Sequence, residues 1–328
     1  MRSWFAVVLT IFDMTTKIGD SVASAASKNW DPALTNTAAS GGTDTWNLNT
    51  TANWFNPGTA VDEIWTDSTG TQDTAIFGGT AGVVTLGTNV GALGLVFNTT
   101  GYTIATVTGP FTLSPGASGI DSSALTTGTN TMSAPIALVA NQMWNLGGAA
   151  QTNTGVVSGT GFSITKTGDG LLTLNALNNF SGGLNINQGQ VTLLNGAGAG
   201  SGVITMANGT TVRLANSGGS TTTFVGNAIT IAPGATATIS SNSASNGYSG
   251  SVTGDATTTL AIGGGTSVSF SAAASLNQFA NLLGTFLVDT AQFARFSASS
   301  ALNNGGINTT FDIRGTAQLA RAMSAQFT

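Results

Sequence analysis

Few residues in this chain are equipped for chemistry, and their types restrict what that chemistry could be. Among 328 residues there are 8 Lys+Arg and 13 Asp+Glu, with no His and no Cys. Without imidazole, Ser-His-Asp and Cys-His nucleophile systems cannot form. Without imidazole or thiolate, the ordinary zinc ligand sets are missing as well. Carboxylates are left as the main general acids and bases. Between residues 110 and 290 they are Asp121, Asp169, Asp255 and Asp289, with Lys166 and Arg213 as cations. Glycoside hydrolysis usually needs two carboxylates roughly 5–10 Å apart, and lyase chemistry needs a base with cationic groups beside it. No two of these acids are neighbours in sequence. Lys166 and Asp169 share a turn, where a local ion pair or a backbone contact explains them more simply than catalysis does. No catalytic residue and no cofactor are assigned, and a polysaccharide lyase or hydrolase ranks last among the functional readings.

Two clusters could bind rather than react. Asp62, Glu63, Asp67 and Asp73 gather four of the 13 acids into a short stretch. Calcium takes six to eight oxygen ligands, so these four are calcium candidates. Their spacing, however, matches neither an EF-hand loop nor the Gly-Gly-x-Gly-x-Asp repeat, and solvated loop charge is the preferred account. Five of the six Trp fall in the first 65 residues: Trp4, Trp30, Trp46, Trp54 and Trp65. Exposed indole faces would suit stacking on sugar rings, with Trp46 and Trp54 as the glycan-contact candidates. The preferred alternative is a cap whose aromatics cover the open edge of a first coil.

The elements that must carry these residues are strands. From about residue 150, period-2 runs such as Leu172/Leu174, Leu184/Ile186, Val191/Leu193, Ile204/Met206 and Val212/Leu214 each describe a strand with one buried face. Asp169-Gly170, Asn195-Gly196, Asn208-Gly209, Asn246-Gly247 and Asn304-Gly305 read as turns between them. Only Leu276 to Leu283 approaches a helical stripe, and Gly284 ends it. Two interleaved apolar series recur: Ile164, Leu184, Ile204, Phe224, and Leu172, Val191, Val212, Ile231. Their common period near 20 residues predicts a parallel β-solenoid in preference to a β-sandwich of evenly spaced hairpins. Charged residues make up 6% of the chain, against roughly 25% in an ordinary soluble domain. Stacked coils align like positions, and walls of neutral Thr, Asn and Ser avoid the repulsion that aligned charges would create.

The segment from Ile164 to Leu193 carries Ile-Thr-Lys-Thr-Gly-Asp-Gly, then Leu-Thr-Leu, then Asn-Asn-Phe-Ser-Gly-Gly at 178–183, then Leu-Asn-Ile and a closing Val-Thr-Leu. It resembles the autotransporter-associated β-strand repeat, and residues 198–214 look like its continuation. Asn29-Trp30-Asp31, Thr45-Trp46-Asn47, Asn53-Trp54, Asp73 to Gly78, Leu93 to Phe97 and Tyr102-Thr103-Ile104 more loosely resemble a module that often precedes such repeats in large bacterial surface proteins. The resemblance implies a right-handed β-helical passenger, displayed at or released from the surface of a bacterium with an outer membrane.

Three regions are expected: a leader at 1–28, a Trp-rich capping β module at 29–115 and a β-solenoid at 116–328. Arg2, the apolar run Trp4 to Phe12 and Ala23-Ser24-Ala25 fit a signal peptide; Asp13, Lys17 and Asp20 argue instead for a mis-assigned start. No other stretch is expected to span a bilayer. No long tail of alternating strands, as an outer-membrane barrel requires, follows residue 271. With no Lys/Arg run and a net charge of -5, nucleic acid is not an expected partner. The expected function is a non-catalytic, adhesin-like stalk at the cell surface or secreted. A carbohydrate-binding module is the alternative, and end-to-end self-association is expected to protect the carboxyl end.

Overall fold

The computed structural model describes residues 25–34, 40–106, 109–216, 223–243, 245–264, 268–270, 278–279, 281–289, 292–296, 310–314 and 318–321. Residues 1–24 and Asn304-Gly305 lie outside the described residues, as do Leu276, Asn277 and Ala280; the expected leader bound at 28 is crossed by strand Ser27–Trp30, which places Ser27 and Lys28 in the cap. The described part of Leu276 to Leu283 holds a turn at Gln278-Phe279 and the strand Asn281–Leu282, and none of it is helical.

The chain winds into a parallel β-solenoid. Two long sheets run its length, one of 15 strands and one of 12, and a third of five strands joins from residue 224 onward. In the second sheet all twelve strands, from Asp44–Trp46 to Thr310–Ile313, pair in parallel. At about 4.8 Å per rung this gives a stack on the order of 50 Å. The expected boundary at 115/116 is no break: strand Leu113–Ser122 straddles it, pairing with Val90–Phe97 on one side and Gln142–Leu146 on the other.

Period-2 alternation fixes which side chains enter the core. In the first sheet Ile164, Leu184, Ile204, Ile229 and Val252 stack in register. In the second, Leu172, Val191, Val212, Ile239, Ile262 and Val288 do so. The first three members of each expected ladder are therefore correct, and the fourth of each is not. Phe224 opens the third sheet beside Gly247 and is exposed. Ile231 belongs to the first sheet, opposite Met206. An inserted strand, Phe224–Val225, lengthens this coil and displaces both continuations. Asn246-Gly247 is likewise no turn: Gly247 is in a buried strand, and the Asn246 side chain accepts from Thr223 N and donates to Leu214 O.

The outer faces carry the neutral walls that the composition suggested. Thr103, Thr131, Thr152, Thr173 and Thr192 occupy successive rungs of the second sheet. Thr165, Asn185, Thr205, Thr230 and Thr253 do the same on the first.

Candidate functional site

The amino-terminal end is built around tryptophan. Trp30, Trp46, Trp54 and Trp65 lie on short strands or bridges of the first coil, and each is at most 1% exposed. Their rings interlock: Trp54 lies 5.1 Å from Trp30, 4.8 Å from Trp46 and 4.4 Å from Trp65. Phe77 joins them and stacks on Phe97 of the next rung at 5.0 Å. Strands Trp54–Asn56 and Val61–Glu63 form an antiparallel hairpin that pairs with Ser27–Trp30 and covers the edge of the first sheet. Trp46 and Trp54 accordingly offer no open face to a sugar, which corrects their assignment as glycan contacts. Among the described residues no coil precedes this rung, and large aromatics fill the space on that side. Trp4 lies outside the described residues.

The four acids do not converge on a metal site. Among the described residues no group of three or more His, Cys, Asp or Glu is placed to hold a metal ion. Glu63 and Asp73 instead face an ammonium: Lys28 Nζ is 3.0 Å from Glu63 Oε2 and 2.9 Å from Asp73 Oδ2. Lys28 is itself buried, and its Nζ also lies 5.8 Å from the Trp65 ring centroid. Burial alone would lower its pKa, but the hydrogen bonds and charges of Asp73 and Glu63 outweigh that and raise it above 10.5. For Glu63, burial acts to raise the pKa, and bonds from Thr59, Lys28 and Asn56 overcome it, leaving the carboxyl below its ordinary value. Asp67 is fully buried and accepts from the amides of Thr69, Gly70 and Gln72, which lower its pKa against the opposing effect of burial. Asp62 lies in the hairpin opposite Phe55. Glu63, Asp67 and Asp73 thus tie the cap together.

A second lysine is buried in the repeat. Lys166 has the same strand parity as Ile164, so its side chain enters the core between Trp144 and Ile186 on adjacent rungs. It is 0% exposed. Its Nζ reaches the corner and donates to the carbonyls of Thr167 at 2.9 Å, Gly168 at 2.6 Å and Gln188 at 3.2 Å. Gly168, at φ +76°, makes that corner possible: a Cβ there would lie 1.9 Å from Leu146 O. Of the two readings of this turn the backbone contact holds, since no ion pair joins Lys166 to Asp169. The Asp169 carboxylate is exposed and accepts from Gln188 Nε2 at 2.8 Å. Burial lowers the Lys166 pKa to about 8 against the opposing charge of Asp169.

Asp121 and Asp255 accept from the amides of Ser123 and Thr257, two residues on in each case, which is the geometry of turn-capping carboxylates. On the outer wall one group differs from its neighbours. Arg213 follows the five threonines of the second sheet and precedes Ser240 and Gly263. The sequence names it only as a cation; its position on a neutral ladder emerges from register.

The chain is 32% identical over 217 residues to the adhesin BmaC autotransporter of Brucella suis biovar 1 (strain 1330). That alignment takes in 65% of this chain and only 5% of the relative, so the chain spans a small fraction of the curated protein it matches. No family profile and no solved structure matches. The likeness of residues 164–193 to the autotransporter-associated repeat therefore rests on the residues quoted for it.

Proposed function

We propose that this chain is a non-catalytic, adhesin-like passenger segment, a rigid rod that holds binding elements away from the surface of a bacterium with an outer membrane. The observation that carries this reading is the unbroken register of the second sheet, twelve parallel strands with apolar ladders inside and hydroxyl walls outside. The similarity to part of an autotransporter adhesin supports it. The mechanism is geometric: each rung adds about 4.8 Å of length while burying its own inward side chains. Further coils, from the same polypeptide or a second copy, would pair with the last described rung. Among the described residues no helix is long and apolar enough to cross a membrane.

The test is display. The chain fused to an outer-membrane barrel on a non-adherent bacterium should confer attachment to epithelial cells or to matrix-coated surfaces. A display strain that exposes the rod, as judged by protease shaving, yet attaches no better than the barrel alone would contradict the reading. Release of reducing sugar from bacterial or host polysaccharides by the purified chain would contradict its non-catalytic part.

A further inference from the structure

The neutral wall of the second sheet is interrupted at Arg213. A shallow depression of about 310 Å³ crosses the outer face there, lined by Gln190, Thr211, Arg213, Thr238, Ser240 and the glycines at 263 and 264. Two outward columns form it side by side: Gln190, Thr211 and Thr238 in one, Arg213, Ser240 and Gly263 in the other. It extends along the rod for about three rung spacings, on the order of 14 Å. Its far end is open because Gly263 carries no side chain; a Cβ there would come within 2.8 Å of Thr238 Cγ2.

Arg213 is also distinctive in its charge environment. Lys28 is neutralised by Glu63 and Asp73, Lys166 is held by buried carbonyls, and Arg314 pairs with Asp312 at 2.6 Å. Among the cations whose side chains are described, Arg213 alone has no carboxylate and no hydrogen-bond partner, and it is exposed. No acid lines the depression. A guanidinium offers a planar fork of donors that matches a carboxylate. The flanking groups, one amide and three hydroxyls, can each give and accept hydrogen bonds.

We infer that this depression is a binding site for a glycan carrying an isolated carboxylate, such as a uronic or other acidic sugar, with Arg213 holding the carboxylate and Gln190, Thr211, Thr238 and Ser240 the ring hydroxyls. An acidic peptide fits less well. Peptides dock by adding to a free sheet edge or by filling apolar pockets. Here the strands are already paired on both sides, and the lining is polar. A chain of net charge -5 disfavours a dense polyanion, which is why one acid per recognition unit is specified. The site rests on the adhesin-like reading and supplies its partner class.

The experiment applies the purified full chain to an array of uronic-acid, sialic-acid, sulfated and neutral glycans, followed by calorimetry on the strongest binder. Carboxylated glycans should be retained, with affinity falling as salt rises. Arg213→Gln should weaken binding tenfold or more, the loss expected for a hydrogen bond to a charged group, with thermal stability unchanged. Gly263→Val should weaken it with the charge intact, by filling the open end. Thr103→Val, at the far end of the threonine column, should bind as the parent does. Equal retention of neutral or sulfated glycans, full binding by Arg213→Gln, or no retention of any carboxylated glycan each overturns the site. If cells displaying the chain still attach in that last case, the site falls alone; if they do not, the adhesin reading falls too.

Discussion

The cap and the repeat each bury a lysine, and they treat it differently. In the cap, Lys28 meets two carboxylates within 3.0 Å and is held protonated beyond its ordinary range. In the repeat, Lys166 meets three backbone carbonyls and no carboxylate, and its pKa falls to about 8. The contrast follows from position. A coil with neighbours on both sides has backbone oxygens at each corner to satisfy an ammonium, and a carboxylate buried there would need its own partner. Among the described residues no rung precedes the first coil, and side chains supply there what a neighbouring backbone would: four indoles for packing, and Lys28, Glu63, Asp67 and Asp73 for polar closure.

The largest effect should come from emptying the cap. Trp54→Ala is expected to cost about 3–5 kcal/mol, the usual result of deleting a fully buried aromatic, as measured by urea denaturation. A loss below about 1 kcal/mol would mean that the indole is not core. Next, Lys28→Met should cost about 3 kcal/mol or more, because it leaves Glu63 and Asp73 facing each other with no cation between them. Lys166→Met should cost less, about 1–2 kcal/mol, since it leaves neutral carbonyls without donors but restores an apolar ladder. If Lys166→Met proved the more damaging of the two, the contrast between the regions would be wrong.

Titration sharpens the same comparison. Lys166 binds its proton less tightly folded than unfolded, so the unfolded chain holds more proton between pH 8 and 10.5, and stability should rise with pH across that window. Above pH 10 this gain is opposed by Tyr102, whose hydroxyl is buried and pushed up to about 12, and by Tyr248, also raised by burial. The parent should therefore gain stability between pH 8 and 10 relative to Lys166→Met, and parallel pH profiles would refute the lowered pKa. At the acid end, Glu63 and Asp67 have lowered values, so their contribution is complete above ordinary carboxylate pKa values and lost as pH falls below about 4. Asp67→Asn should flatten that acid limb. The smallest effect is on the wall: Thr173→Val should change stability by no more than about 0.5 kcal/mol.

Much of the rod was legible because alternation and a fixed period are properties of the residues themselves. Ile164, Leu184 and Ile204 align as their spacing indicates. The pattern fails at Phe224 because a step of 20 residues does not reveal that one coil has gained a strand; the true step from Ile204 is to Ile229. The solenoid's early start was hidden for a related reason, since the paired positions Ala75, Leu95, Ile120 and Trp144 are unevenly spaced. The orientation of the tryptophans could not be read from residue type, since an indole suits a core or a sugar equally well. Lys166 reads in the sequence only as a turn residue; it shares the parity of Ile164, and the carbonyls that hold its ammonium in the core come together only when the coils stack. Arg213 gives no sequence signal as a site, because its depression exists only once four rungs lie side by side.

The stacking itself is most directly tested by distance. The chain has no Cys, so Thr165→Cys and Thr253→Cys together place two spin labels on the outer face of the first sheet without background. These positions are joined through Asn185, Thr205 and Thr230, four rung spacings in all. Pulsed electron resonance should give a single distribution centred near about 19 Å, within the reach of the label arms. A broad distribution, or one centred well away from that value, would contradict the parallel solenoid.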